Sequence, residues 1–185
     1  LLLAGCGRAQ FLLYGLFGPD HHYVAAERAV VAVPPPPAAG SEADRRDFET
    51  LLDWQARRTA ADCEAARAQA EADYGKFFGD VSPFPEPLPP EVSAILFRVY
   101  YDGGKAVSAA RKKFGRERPF RRDKAVKPCL GKVGGLAYPS GHSAVSRLFA
   151  LLLSDVSPAR RPLFLARADR AALNRVIGGV HHPSD

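Results

Sequence analysis

Apolar positions recur at helical spacing along most of this chain, and nowhere do they alternate over a useful length. Phe48, Leu51, Leu52 and Gln55 form a stripe on a predicted helix that ends near Arg58. Ser41 is placed to cap it, with Glu42 and Asp44 in the first turn, where the helix dipole favours acidic groups. Thr59 is expected to cap a second, Ala-rich helix running to about Tyr74, with Asp62 completing an imperfect capping box. Phe77 to Pro90 reads as a proline-studded loop. Val92, Ile95, Leu96, Val99 and Tyr100 line one side of a helix from Glu91 to about Gly115, which Gly103-Gly104 is expected to kink or split. Phe120 to Tyr138 reads as loop. Ser140 opens a helix through about Ser154, its apolar side formed by Ala144, Leu148, Leu151 and Leu152. A last long helix starts at Pro158 or Ala159 and reaches about Gly178. The expected fold is therefore all-α, a single-domain bundle of about five to seven helices. Trp54 and the scattered Phe and Tyr residues are expected in its core.

The first forty residues stand outside this pattern. The chain contains no Met, so it is expected to begin inside a longer precursor. Leu3-Ala-Gly-Cys6 matches the bacterial lipoprotein cleavage box, in which Cys6 is lipidated, and Gly7-Arg8-Ala9 offers an ordinary cleavage site before Gln10. Residues 1–9 are read as the remnant of a signal peptide, 10–40 as an N-terminal arm and 41–185 as the helical domain. The plainer alternative for the start is an apolar strand with a buried cysteine. From Val33 to Ser41 the arm is Val-Pro-Pro-Pro-Pro-Ala-Ala-Gly-Ser, an extended polyproline segment without amide donors, laid on the surface or on a partner subunit.

Charge and cysteines narrow the compartment and the partners. A formal net charge of +6 suits anionic partners. Its richest stretch, Arg111 to Lys132, is broken by Pro and Gly, and zinc-finger spacing and aromatic RNA-binding patterns are missing, which argues against nucleic acid. The longest apolar run beyond the N-terminus, Leu148 to Leu153, is too short to span a bilayer. An export signal implies an oxidising compartment, periplasmic or extracellular. With Cys6 taken by lipid, Cys63 and Cys129 remain as an even pair and are expected to form a disulfide. Two buried free thiols are the alternative.

Three polar islands carry the candidate chemistry. In Pro139-Ser-Gly-His142, Ser140 caps a helix, Gly141 permits close backbone approach, and the first amides of the helix favour an anion, with His142 at its rim. In Asn174 to Asp185, Pro183 suits the first turn of a following helix, so that His181 and Asp185 would face the same way. The carboxylate would then fix one imidazole nitrogen and leave the other as a nucleophile. His182 competes for that role but has no carboxylate at the same spacing. In Arg111 to Pro119, Arg111, Lys112, Lys113, Arg116 and Arg118 read as a solvated basic face, unless Pro119 fixes Arg118 in an extended backbone that aims its guanidinium at a phosphate.

In this order the islands resemble the tripartite signature of the phosphatidic acid phosphatase type 2 superfamily, K-x6-R-P, then P-S-G-H, then S-R-x5-H-x3-D. The resemblance is closest to the bacterial class A nonspecific acid phosphatases, in which a proline arm like Val33 to Ser41 also precedes a charged helix. It covers about Ala32 to Asp185. It implies His181 as the nucleophile that accepts a phosphoryl group, Asp185 as the group orienting it and His142 as general acid and base. It implies Arg111, Arg118, Ser140, Gly141 and Arg175 as phosphate ligands, with no metal and no cofactor. Two positions depart from the signature. Arg111 stands where it has lysine, with a different reach, and Asn174 stands where it has serine. Some relatives bridge a cysteine near Gly178 to a position like Cys129; glycine there leaves Cys63 as the partner. The family would also continue past Asp185 into a helix.

The expected function is thus a metal-independent acid phosphatase acting on phosphate monoesters through a phosphohistidine. The expected partners are phosphorylated small molecules, with no nucleic acid and no membrane contact beyond an anchor at Cys6. The resemblance and the arm lean to a homodimer. The competing readings are a vanadium-dependent haloperoxidase, a non-catalytic phosphate-binding helical module, and a metal-dependent phosphohydrolase using His142, His181, His182 and Asp185.

Overall fold

A computed structural model describes residues 25, 28 and 32–185. Cys6, the residues assigned to the signal peptide and most of the arm lie outside the described residues. Within them the chain is helical, and no strand occurs. The helices are α1 (Glu42–Arg57), α2 (Ala60–Ala68), α3 (Tyr74–Phe78), α4 (Pro90–Phe114), α5 (Pro119–Arg122), α6 (Gly141–Val156) and α7 (Arg161–Ile177), with 3₁₀ turns at Gly79–Val81 and Pro158–Arg160. The all-α single-domain expectation is met.

The boundaries follow local chemistry. Ser41 Oγ accepts from the Asp44 amide at 3.2 Å and starts α1. Thr59 and Asp62 form a complete capping box for α2: the Asp62 amide donates to Thr59 Oγ1 at 3.2 Å and the Thr59 amide to Asp62 Oδ2 at 2.9 Å. Pro90 opens α4, and Gly115, at φ 65°, closes it in the left-handed conformation.

Several expectations on extent are corrected. The second helix does not continue to Tyr74; it stops at Ala68, and Asp73 caps the separate α3 through the Lys76 amide at 3.1 Å. The segment read as a loop from Phe77 therefore begins inside a helix, and Phe77 and Phe78 are both fully buried. Gly103-Gly104 does not interrupt α4. A Cβ at Gly103 would stand 2.7 Å from Leu148 Cδ1, so this glycine lets α4 and α6 approach closely. The expected loop from Phe120 also holds the last turn of α5.

The core centres on the hairpin of α6 and α7. Val145, Phe149, Ala150 and Leu153 of α6 meet Phe164, Ala168 and Ala171 of α7, with Tyr74, Phe77 and Phe78 of α3 and Leu96 of α4 packed against them. A smaller cluster joins Leu51 of α1, Val126 and Val176 of α7, with Trp54 half-buried at its edge. Burying a large apolar side chain contributes about 1.5–3 kcal/mol, and the aromatic cluster reaches the first turn of α6 through Phe77, whose ring lies 6.1 Å from that of His142.

Cross-links then fix the loops against this frame. Cys63 on α2 is bonded to Cys129, with the Cα atoms 6.0 Å apart. Arg58 donates to the Ile177 carbonyl at 2.8 Å and to the Lys127 carbonyl at 2.5 Å. The described end of the arm meets the domain at Tyr138, whose Oη donates to the Pro34 carbonyl at 2.6 Å. Among the described residues no helix is long and apolar enough to cross a membrane.

Candidate active site

The three islands converge beside the α6 N-terminus. His181 and Asp185 lie in the turn that follows α7, not on a helix start as the sequence reading assumed. The pairing survives because the turn closes by a hydrogen bond from the Asp185 amide to the His182 carbonyl at 3.1 Å. Asp185 Oδ2 lies 3.1 Å from His181 Nδ1. An ionised carboxylate only accepts, so Nδ1 carries the proton and Nε2 keeps its lone pair.

That lone pair faces Arg118. Nη1 of Arg118 stands 2.6 Å from His181 Nε2. The guanidinium also donates to the carbonyls of Val180 at 3.0 Å, Gly134 at 3.1 Å and Gly135 at 3.4 Å. As expected for a residue before proline, Arg118 is extended, at φ −63° and ψ 145°. Among the described residues no carboxylate pairs with it directly. Burial and the neighbouring Arg111 push its guanidinium down to about 10.

Arg175, in the last turn of α7, is 4% exposed, and its Nε and Nη1 have no hydrogen-bond partner among the described residues. Burial pushes it down to about 10. A buried guanidinium with unspent donors is costly by itself and matches the demand of a phosphate dianion. Arg111, in the last turn of α4, donates from Nε to the Pro139 carbonyl at 3.1 Å, and its Nη2 lies 3.7 Å from the Cβ position of Gly141. Arg111 and Arg175 are also close enough to Arg118 to depress it, so the three arginines share one site.

Ser140 is buried and caps α6, its Oγ accepting from the Ser143 amide at 3.3 Å. Its own amide donates to the Asp185 carbonyl at 2.8 Å, tying the second island to the third, and its hydroxyl proton remains to be donated. His142 Nε2 lies 3.1 Å from the Gln69 carbonyl and 3.0 Å from the Ala70 carbonyl. Carbonyls accept only, so Nε2 carries a proton, and Nδ1 is the nitrogen that exchanges one. Asn174, in the serine position, donates from Nδ2 to Gln69 Oε1 at 2.8 Å.

Both histidines are held neutral. Burial, then Arg175, pushes His142 from 6.5 down to about 3, against the opposing pull of the Ala70 carbonyl. Burial pushes His181 down to about 4; the Asp185 bond raises it, while Arg118 and Arg175 lower it. Burial would raise Asp185, but the bonds from His181 and His182 prevail and hold it well below the usual carboxylate range.

Several functional neighbours escaped the sequence reading. His182 is not a bystander without a carboxylate: its Nδ1 lies 3.1 Å from the same Oδ2 of Asp185, and its Nε2 lies 3.0 Å from Arg122 Nη1. Arg116 is not on a solvated face; it is 7% exposed and donates to Asp185 Oδ1 at 2.7 Å. Asp44 is not merely an N-terminal helix charge, because it is buried against Arg116 and Arg122. The available signals were two periodicities. Arg116, Glu117 and Arg118 alternate buried, exposed and buried in an extended stretch, and Asp44 and Asp47 prolong the buried stripe that ends in Leu51. Among the described residues no group of three or more His, Cys, Asp or Glu side chains is arranged to hold a metal ion.

The chain is related to the phosphatidic acid phosphatase type 2 superfamily. Among curated proteins it is similar to a non-specific acid phosphatase of Providencia stuartii, 32% identical over 136 residues that cover 69% of this chain and 53% of the relative. It is similar to a non-specific acid phosphatase of Salmonella typhi, 37% identical over 103 residues covering 52% and 40%. A lipid A 1-phosphatase of Rhizobium etli is 27% identical over 139 residues covering 73% and 54%. The chain spans about half the length of the curated relatives it matches. No family model matches it.

Proposed function

We propose that this chain carries the catalytic site of a metal-independent acid phosphatase that hydrolyses phosphate monoesters through a phosphohistidine. The observation that carries the reading is the pairing of His181 Nδ1 with Asp185 while Nε2 faces Arg118, beside the unpartnered donors of Arg175. The resemblance to enzymes named acid phosphatases supports it.

In this mechanism the ester phosphate enters among Arg111, Arg118, Arg175, Ser140 and Gly141, and Arg118 turns its Nη1 from the imidazole to a phosphate oxygen. His181 Nε2 attacks phosphorus, and the P–O bond to the alcohol breaks. The bound phosphate offsets the Arg175 charge that helps keep His142 neutral in the free site, so Nδ1 takes up a proton at mildly acidic pH and gives it to the departing oxygen, while the carbonyls of Gln69 and Ala70 hold the Nε2 proton. The arginines balance the charge on the equatorial oxygens, the part that a metal plays elsewhere. Water then attacks the phosphohistidine, giving its proton to His142 Nδ1. The P–N bond breaks, and Nε2 recovers its lone pair.

A site that grips mainly phosphate suits varied leaving groups, and nucleotides, sugar phosphates and aryl phosphates are the proposed substrates. Export to the periplasm or beyond, an anchor at Cys6 and a homodimeric state belong to the same proposal. The Cys63–Cys129 bond supports an oxidising compartment. The test is p-nitrophenyl phosphate turnover across pH, with and without chelator. Turnover is expected on the mildly acidic side, insensitive to chelator, inhibited by vanadate and abolished in His181→Ala. An active His181→Ala variant would overturn the nucleophile assignment, and loss of activity in chelator would overturn metal independence.

A further inference from the structure

Asp185 is held from more directions than orienting one imidazole requires. Oδ2 accepts from His181 Nδ1 at 3.1 Å, from the His182 amide at 2.8 Å and from His182 Nδ1 at 3.1 Å. Oδ1 accepts from Arg116 Nη1 at 2.7 Å. Arg116 is in turn fixed by α1: its Nη2 donates to Asp47 Oδ2 at 2.7 Å and to Asp44 Oδ1 at 3.1 Å. Its Nη1 also donates to Ser184 Oγ at 2.8 Å. Ser184 closes the ring, donating its amide to Asp47 Oδ1 at 3.0 Å and its hydroxyl to Asp47 Oδ2. Both sides are buried, with the Arg116 side chain 5% and that of Asp185 0% exposed.

We propose that Arg116, anchored by Asp44 and Asp47, is a positioning residue for phosphoryl transfer, which locks Asp185 in the ionised, oriented form that holds the His181 Nδ1 proton. The proposal rests on the phosphatase reading. A carboxylate buried among carbonyls and imidazoles has two escapes when it loses its cation: it takes up a proton, or it swings toward another donor. Either escape removes the acceptor from His181 Nδ1. The imidazole proton then moves to Nε2, and the nucleophilic lone pair disappears. Arg116 opposes both, and its two terminal nitrogens are committed to Asp185, Asp44, Asp47 and Ser184 rather than to the phosphate site.

The other groups that face Asp185 do not replace it. His181 and His182 lower Asp185 from its own turn, but they donate to Oδ2, leaving Oδ1 to Arg116. Arg111, Arg118 and Tyr138 act on it at longer range, and Arg111 and Arg118 are committed to the phosphate side. Arg122 reaches it only through His182, and Asp44 and Asp47 are negative. Removing Arg116 therefore raises the proton affinity of Asp185 and carries the acid limb of activity to higher pH.

The test compares Arg116→Lys, which keeps the charge but not the fork, with Ser184→Ala, a milder cut of the same ring. Folding of each is checked by near-UV circular dichroism. Arg116→Lys should lower kcat for p-nitrophenyl phosphate about 10- to 100-fold, the range for partners that orient an active-site histidine, with KM nearly unchanged. The acid limb of kcat/KM should move toward neutral pH. Ser184→Ala should show the same signature, smaller. Imidazole 15N NMR reads the His181 tautomer without turnover and should show Nε2 protonation gaining in both variants. Folded variants with the parental acid limb and an unchanged His181 tautomer overturn the proposal. An active His181→Ala protein overturns the phosphatase reading instead, so the two failures are distinguishable.

Discussion

Arg118 Nη1 lies 2.6 Å from His181 Nε2, so the group that would balance phosphate charge sits directly on the nitrogen that would attack it. Burial first, and this contact with it, keeps the imidazole neutral, and in the proposed mechanism the contact marks the side from which phosphorus enters. Arg118→Ala is expected to lower kcat by about 10²- to 10³-fold, the magnitude for losing one donor to transition-state charge, and to weaken competitive inhibition by inorganic phosphate. Steady-state kinetics with phosphate as inhibitor checks both.

Stability should fall as pH drops. His142 and His181 ionise at about 3 and about 4 in the folded chain against 6.5 in an exposed imidazole. The unfolded chain therefore binds protons first, and stability present above pH 6.5 is lost as pH falls toward 3 to 4. Asp44 and Asp185, held below the usual carboxylate range, continue the loss further down. Thermal midpoints measured between pH 7 and 4 should fall steadily, and inorganic phosphate should recover part of the loss. A flat profile would contradict the buried neutral histidines.

Arg111→Lys restores the residue type of the superfamily signature but loses the bond from Nε to the Pro139 carbonyl. A lysine ammonium reaches phosphate as a point charge and leaves that carbonyl unserved. The expected result is a KM several-fold higher and a kcat that falls by less, since the point charge still balances the equatorial oxygens while the guanidinium fork that helps hold the ground-state phosphate is lost. A gain in kcat would show that arginine is a handicap at this position.

Reduction of Cys63–Cys129 should destabilise the chain by about 2–4 kcal/mol, the usual range for such a bond. The bridged residues are 66 apart in sequence. The bond also tethers α2, whose last turn leads directly into the Gln69 and Ala70 carbonyls that hold His142. Activity is therefore expected to fall before the helical circular dichroism signal does when dithiothreitol is titrated in.

Gly179→Ala should cost about 1–3 kcal/mol. Gly179 is left-handed at φ 75°, and a Cβ there would meet Pro128 Cα at 2.9 Å. The strain falls two residues before His181, so activity should drop beyond the loss of thermal midpoint. Measuring both on the same preparation separates the effects.

Much of this site was legible in the chain before folding. The spacing of Arg118-Pro119, Ser140-Gly-His142 and Arg175 with His181 and Asp185 named the residues that the tertiary structure then brought together. The caps at Ser41, Thr59 and Ser140 were local, because a side-chain oxygen three residues from an amide closes that bond without help from the rest of the fold. The break between α2 and α3 was not legible, since Ala-rich sequence favours helix until tertiary packing of Phe77 and Phe78 demands a turn. The continuity of α4 through Gly103 was equally hidden, because close approach to Leu148 is a property of two helices.

What the sequence determined by itself is the helical periodicity, the caps and the inventory of chemistry in three short motifs. These rest on neighbours three or four residues apart, whose geometry the backbone imposes. What only the tertiary structure decided is which charges are buried and with whom. Asp44 and Asp47 meet Arg116 across about seventy residues, and the pairing exists only because α1 packs against the turn that carries Asp185. A buried charge requires a partner, and partners that far apart in the chain are chosen by the packing of helices, which no local pattern records.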